Sequence, residues 1–198
     1  MLWLAFMSAT VYKILSPKLQ KKSLSRLQLG AVCAPLRTLK MSCVLVLISL
    51  NTGAIANPQI IKDASLKFGS STIVVAIEAI KEANGNYLCY TDNGREFTGK
   101  NALEWAIMAE ELGAGELIIT SVDREGTGKG FDFELVKMIA EKVSIPVIAH
   151  GGAGKLEDFK KVIEESKADA VAVASVLHYD FVANHTQEVD TQHEGNTS

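Results

Sequence analysis

Residues 145–155 read IPVIAHGGAGK, a short apolar run that is followed directly by a glycine-rich turn. A nearly continuous apolar run of this kind is typical of a strand that is buried on both faces of a sheet. Glycines let the backbone approach an anion closely, and a helix N-terminus that follows them points N–H groups toward it. The stretch therefore predicts a parallel strand that ends in a phosphate-binding loop, although glycines that only make a tight turn would look similar.

The same unit of strand and helix recurs along the chain. The apolar runs are Val44–Ser49, Thr72–Ile77, Glu116–Ser121, Pro146–His150 and Ala170–Ala174. The predicted helices are one that Asn57-Pro58 opens and Gly69 ends, then Asn101–Leu112, Phe131–Val143 and Leu156–Ser166. Strands that alternate with helices in this way indicate an α/β barrel or a doubly wound sheet.

One insertion interrupts the alternation. The β-prone runs Asn86–Thr91 and Arg95–Thr98 flank the turn residues Asp92-Asn93-Gly94. A turn of this composition between two such runs predicts a β-hairpin. We expect the hairpin directly after a strand that ends at Glu78, as an excursion from a βα loop.

Polar residues follow several of the predicted strands. Glu78 comes after five apolar strand residues, and residues 120–128 (TSVDREGTG) combine a threonine, carboxylates and glycines. Ala174-Ser175 follows the last strand. The carboxyl ends of parallel strands form the catalytic face of a barrel, so an acid/base role for Glu78 is reasonable. The alternative for residues 123–125 is a solvated acidic loop.

Charge divides the chain into unlike parts. Residues 1–62 contain eight Lys or Arg and no acid, whereas residues 63–198 contain twelve Lys or Arg against 23 acids. We expect a divergent basic segment over residues 1–45, a phosphate-binding half-barrel over residues 46–183, and a polar disordered tail over residues 184–198.

The N-terminal segment allows several interpretations. Residues 1–12 lack the basic stretch of a secretory signal, and the ten residues 41–50 are too few to cross a bilayer. A composition with Ser and Lys and without acids resembles an organellar transit peptide, but a divergent segment or a misassigned gene start fits better. Its basic residues lack aromatic interleaving, so we expect a solvated or unstructured stretch and no nucleic-acid or membrane partner.

The cysteines Cys33, Cys43 and Cys89 form no CxxC pair and no cluster with histidine. We therefore expect no metal site. A sparse and odd set of cysteines fits a reducing compartment, so the expected location is the cytoplasm.

Together the motifs resemble the cyclase subunit of imidazole glycerol phosphate synthase, a (βα)₈ barrel, from about Ser49 to Phe181. They occur in the family's order as residues 51–58 (NTGAIANP), the run ending at Glu78, 123–127 (DREGT), 148–154 (IAHGGAG) and 174–178 (ASVLH). The resemblance implies a glutaminase partner in a heterodimer and a phosphorylated substrate, but no cofactor. Ammonia from glutamine would convert a phosphoribulosyl-formimino aminoimidazole carboxamide nucleotide to imidazole glycerol phosphate in histidine biosynthesis.

The resemblance also implies roles for individual residues. Glu78 stands at the family's second catalytic aspartate. One substrate phosphate would lie at Gly126, Gly151, Gly152, Ala174 and Ser175, and the other near Asn51 and Thr52. Thr120 and Glu125 would line the pocket, where His150 is a further candidate contact. The family usually has Asp at positions 78 and 125 and Ser at position 150.

Two family features are missing from residues 1–45: the catalytic aspartate of the first barrel strand and the glycine-rich loop after the third. We therefore expect a partial barrel of about strands 4 to 8, with open strand edges. The N-terminal segment could cover the gap, two copies could associate, or the product could be unstable. Two other functions stay open: a glutaminase-coupled amidotransferase that forms amidines on surface sugars, and a non-catalytic phosphate-binding half-barrel.

Overall fold

The computed structural model describes residues 12–15, by their backbone, and residues 48–173. The strands are β1 (Tyr12–Leu15), β2 (Ile48–Leu50), β3 (Ile73–Lys81), β4 (Tyr87–Thr91), β5 (Glu96–Asn101), β6 (Glu116–Ser121), β7 (Val147–His150) and β8 (Ala170–Val173). The helices are α1 (Thr52–Ala56), α2 (Gln59–Phe68), α3 (Ala102–Glu111), α4 (Phe133–Ala140) and α5 (Leu156–Ser166), and a 3₁₀ turn covers Ser70–Thr72.

Five strands form a parallel array in the spatial order β2-β3-β6-β7-β8. Each parallel connection carries at least one helix, as crossover connections in parallel sheets require. Five parallel strands, each joined to the next through helix, match about five units of a (βα)₈ barrel. The predicted fold class, a partial barrel, is confirmed.

The two faces of the array have different neighbours. Strand residues such as Val75 and Ile77 point outward and pack with Trp105, Leu135 and Val162 of the helices in one large apolar core. A second, small cluster of Ile148, Ala170 and Ala172, with Ile118 against it, lies apart from that core. The strand registers put these residues on the opposite, inner face, because successive side chains of a strand alternate.

Strand β3 does not end at Glu78, as the sequence predicted, but continues to Lys81. Its last four residues pair antiparallel with β4, from Glu78 opposite Tyr90 to Lys81 opposite Tyr87. Burial alternates through Glu78, Ala79 and Ile80, as in a strand, and the hairpin of β4 and β5 gives this extension a pairing partner. The predicted hairpin is confirmed, with its turn at Asp92, Asn93 and Gly94, all at positive φ.

Other predicted bounds differ by a few residues. Strand β6 and helix α5 coincide with the prediction, whereas α4 begins two residues later and ends at Ala140. Helix α1 was not predicted. Of the first predicted strand, residues 44–47 lie outside the described residues, as does Ala174 of the last.

The outer edge of β8 pairs with β1, and the pairing is antiparallel, with Tyr12 opposite Val173 and Leu15 opposite Ala170. The expectation of an unstructured stretch is therefore wrong for Tyr12–Leu15. Among the described strands, β2 pairs with β3 alone. Within the described part of the chain, no helix has the length and apolar character needed to cross a membrane.

Candidate active site

A polar row crosses the inner face of the array near the carboxyl ends of the strands. Glu78 on β3 lies opposite Thr120 on β6, Thr120 lies opposite His150 on β7, and His150 lies opposite Ala172 on β8. The preceding row on the same face is apolar: Ala76, Ile118, Ile148 and Ala170. Apolar side chains therefore lie beneath the polar row.

Two donors from different elements contact the Glu78 carboxylate. The Asn51 side chain, directly after β2, donates from Nδ2 to Oε1 at 2.7 Å. The Gly94 backbone N–H, in the hairpin turn, donates to Oε2 at 3.1 Å. A Cβ added at Gly94 would lie 2.6 Å from Val122 Cγ1, so the turn also contacts the end of β6. The hairpin thus places its turn over the carboxylate.

Burial raises the pKa of Glu78 above its ordinary value of 4.5. The hydrogen bonds from Asn51 and from the Gly94 backbone act in the opposite direction, because they stabilise the ionised form. The negative charge of Glu125 adds to the rise. A carboxyl group with a raised pKa is suited to give and take protons closer to neutral pH.

The His150 ring lies within the same row. Its Nδ1 is 3.1 Å from Thr120 Oγ1, and burial lowers the pKa of the imidazole, with a smaller opposing effect from the charge of Glu125. Glu125 thus acts electrostatically on both titratable side chains of the row. The site therefore combines a partly buried imidazole, a half-buried carboxyl group and a second carboxylate nearby.

The loops after β6 and β7 pack backbone against backbone. The Gly130 N–H donates to the Gly152 carbonyl at 2.8 Å, and a Cβ at Gly152 would lie 2.4 Å from the Gly130 carbonyl oxygen. A Cβ at Gly154 would lie 2.1 Å from the Gly128 carbonyl oxygen. Gly152 and Gly154 are therefore required for this close approach, whatever ligand the loops bind.

The start of α5 differs from the sequence expectation. The N–H groups of Gly154 and Lys155 both donate to Asp158 Oδ2, at 3.0 and 3.1 Å. This carboxylate, buried in the first turn of the helix, occupies two of the backbone donors at the start of α5. The predicted phosphate contact of this loop would therefore use other N–H groups. In the described part of the chain, no hydrogen bond uses the N–H groups of Gly151 and Gly152.

The other predicted site residues lie around this row. The Asn51 side chain contacts Glu78, and Thr52 is the first residue of α1. Glu125 lies in the turn after β6, where its backbone N–H donates to the Ser121 carbonyl at 3.0 Å. Gly126 has a φ of +72° and open space where a side chain would be. Ala174 and Ser175 lie outside the described residues.

Sequence reasoning found the hairpin turn but not its contact with Glu78. The Asp92-Asn93-Gly94 signal predicts a turn, whereas the position of Gly94 over the carboxylate depends on how β4 pairs with β3. Asp158 was also missed, although an acid at the third position of a helix is a recognised capping signal. Among the described residues, His, Cys, Asp and Glu form no cluster of three or more that could hold a metal ion.

Comparison with known proteins agrees with the sequence resemblance. The family model described as "Histidine biosynthesis protein" matches residues 39–182. The chain is 45% identical over 136 residues to the imidazole glycerol phosphate synthase subunit HisF of Alkaliphilus metalliredigens (strain QYMF), which covers 69% of this chain and 54% of that protein. The chain thus spans about half the length of this curated relative. It belongs to the histidine biosynthesis protein family.

Proposed function

We propose that the chain carries the cyclase chemistry of imidazole glycerol phosphate synthase. It would use ammonia to convert the phosphoribulosyl-formimino aminoimidazole carboxamide nucleotide to imidazole glycerol phosphate. The observation that carries the proposal is the Glu78 carboxyl group, held by Asn51 and Gly94 on the polar row. The 45% identity to a HisF subunit supports the choice of reaction.

Glu78 is the proposed acid/base of this site. Its two hydrogen bonds fix both carboxylate oxygens, so the side chain is oriented before a substrate arrives. Burial raises its pKa toward the range in which a carboxyl group transfers protons efficiently. A positioned group of this kind contributes roughly 10²- to 10⁴-fold to a rate.

We propose one substrate phosphate at the loops after β6 and β7. The Gly151 and Gly152 backbones, at φ of +84° and +97°, and the open space beside Gly126 support this assignment. Backbone N–H groups in such a loop bind phosphate oxygens without a charged side chain. Ala174 and Ser175 would complete this site, whereas Asn51 and Thr52 lie on the side proposed for the other phosphate.

We propose a glutaminase as the partner that supplies ammonia. The name of the HisF relative describes it as a subunit of the synthase, which supports a role within a complex. Sedimentation of the chain with and without a glutaminase subunit tests this: a faster-sedimenting complex is expected. Separate sedimentation of the two proteins would argue against the partner while leaving ammonia-dependent activity open.

The test of the reaction is turnover of the ribulosyl nucleotide by the purified chain with ammonium salt as nitrogen donor. Glu78→Gln should lower kcat by roughly 10²- to 10⁴-fold. The matched control is Glu111→Gln, which removes an exposed carboxylate at the end of α3 and should leave turnover unchanged. Binding of imidazole glycerol phosphate, measured by calorimetry, separates ligand recognition from chemistry.

Each outcome has a distinct meaning. Turnover that Glu78→Gln abolishes supports the cyclase proposal. Binding without turnover would mean a phosphate-binding half-barrel that lacks the chemistry. Neither binding nor turnover would overturn the proposed function and leave the sugar-directed amidotransferase as the hypothesis to test.

A further inference from the structure

His150 is a second titratable side chain on the inner face. It lies two strands from Glu78 along the polar row, with Thr120 between them. Neighbouring strands are separated by nearly 5 Å, so the two backbones are about 10 Å apart. The register places both side chains on the same face of the array.

The contact with Thr120 decides which nitrogen of the ring faces a ligand. Nδ1 lies 3.1 Å from Thr120 Oγ1. Within residues 48–173, Nε2 has no hydrogen-bond partner. Nε2 is therefore the nitrogen that a ligand on the inner face would meet.

The surroundings shift the two groups in opposite directions. Burial raises the pKa of Glu78 and lowers that of His150, so their proton affinities approach each other. Among the described residues that face the His150 ring, Thr120 on β6 and Ala172 on β8 are uncharged, whereas Glu125 in the loop after β6 brings a negative charge. The imidazole in its neutral form accepts a proton, and the Glu78 carboxyl group in its protonated form gives one, so the two side chains supply complementary groups on one face.

We infer that His150 is a second catalytic residue, which exchanges protons with the substrate opposite Glu78. The inference rests on the proposed function and adds to it. When ammonia adds to the ketone carbon, an N–C bond forms and the π electrons of the C=O bond move to oxygen. His150 Nε2 takes a proton from the nitrogen, and Glu78 gives its proton to the oxygen.

Loss of water reverses these roles. Once the intermediate has turned so that its hydroxyl group faces His150, the imidazolium gives its proton to that group as the C–O bond breaks. The Glu78 carboxylate takes a proton from nitrogen as the C=N bond forms. Both side chains then hold the protons with which they began. The pair therefore needs no further acid or base for this part of the reaction.

The test compares the pH profile of kcat/KM for the full-length chain and its variants, with ammonium salt as the nitrogen donor. The wild type should give a bell-shaped profile, because activity needs a protonated Glu78 and a neutral His150, and the two apparent pKa values belong to the pair. His150→Gln should lower kcat roughly 10²-fold or more. Its pH profile of kcat/KM should show one apparent pKa, that of Glu78, instead of two. Thr120→Val keeps the imidazole but not its orienting contact, so it should lower kcat less and keep the bell shape.

A second measurement does not depend on turnover. In ¹⁵N spectra of the histidine side chains, His150→Gln identifies the His150 signal by its loss. Saturating imidazole glycerol phosphate should shift that signal and change the pKa it reports in the wild type.

An unchanged bell-shaped profile in His150→Gln would overturn the inference and leave the proposed function standing. An unshifted His150 signal in the ligand-saturated wild type would do the same. Absence of both turnover and ligand binding in the wild type would overturn the proposed function, and this inference with it.

Discussion

Glu78 is a carboxyl group whose ionised form is destabilised by burial and stabilised by two hydrogen bonds. Burial is the larger effect, so its pKa in the folded chain lies above 4.5. Between 4.5 and that higher pKa, the folded chain holds a proton that the unfolded chain has released. The free energy of unfolding therefore falls as pH rises through this window.

Glu78→Gln should remove this pH dependence, because an amide does not titrate. As pH rises from below 4.5 to neutral, the wild type should lose stability through this group and the variant should not. The unfolding free energy of the variant should therefore rise relative to that of the wild type. Urea denaturation over this range measures it. The acid end of the range is an internal control, because Glu78 is protonated there in both the folded and the unfolded chain. The stability difference at that end reports only the replacement of a protonated acid by an amide, including the altered contacts to Asn51 and Gly94. A difference that stays constant with pH would contradict the assigned direction of the pKa shift.

Gly152 combines a positive φ with too little space for a side chain. Its φ is +97°, and an added Cβ would lie 2.4 Å from the Gly130 carbonyl oxygen and 2.8 Å from Arg124 Cβ. Backbone strain and the clash together should make Gly152→Ala destabilising by about 2–5 kcal/mol.

Gly53→Ala is the matched control, because Gly53 lies in α1 and an added Cβ would meet nothing within 4 Å. It should leave stability unchanged or raise it by up to about 1 kcal/mol. Chemical denaturation of both variants measures the contrast. Equal effects at the two positions would show that the loops after β6 and β7 can separate without cost.

At the scale of elements, the hairpin is linked to the loop after β6 by a part-buried polar network. Tyr87 on β4 donates its hydroxyl to Asp132 Oδ1 at 2.9 Å, and Ser121 Oγ lies 3.4 Å from Asp132 Oδ2. Asp132 also accepts from the Leu135 N–H at 3.0 Å and caps α4. One carboxylate thus connects β4, the end of β6 and the start of α4, and so fixes both ends of the loop that carries Glu125.

Tyr87→Phe should lower the unfolding free energy by about 1.5–3 kcal/mol, because it removes a part-buried hydrogen bond from the buried Tyr87 side chain to a carboxylate. Tyr90→Phe, on the same strand, removes a hydroxyl that bonds Glu82 at 3.1 Å near the surface, and it should cost less than about 1 kcal/mol. Denaturant titration of both variants measures the difference. A larger effect at Tyr90 would contradict the role assigned to the Asp132 network.

At the scale of the whole molecule, the strand edges decide how the chain behaves in solution. The antiparallel pairing of Tyr12–Leu15 with Ala170–Val173 satisfies the outer backbone groups of β8. An edge with exposed N–H and C=O groups is a template for pairing with another chain. Tyr12–Leu15 therefore cover an edge that, left unpaired, is such a template.

Deletion of residues 1–45 should expose this edge and cause concentration-dependent self-association. Sedimentation velocity at increasing protein concentration measures it, with the full-length chain as the control. A truncated chain that stays monomeric throughout would show that the pairing of β1 with β8 does not prevent association.

The sequence alone determined the elements whose signals are local. Strand β6 and helix α5 were predicted residue for residue, because a continuous apolar run and a helical apolar spacing are written in adjacent positions. The candidate site residues followed from strand ends and from the family resemblance, since the carboxyl ends of parallel strands share one edge.

Only the tertiary structure decided the contacts that join distant segments. Gly94 lies over Glu78 because β4 folds back along β3, and this pairing extended β3 to Lys81. Asp158 takes the N–H groups of Gly154 and Lys155, a competition that the glycine motif itself does not reveal. The physical reason is that local propensity fixes strands and helices, whereas hydrogen-bond partners depend on which segments the packing brings together.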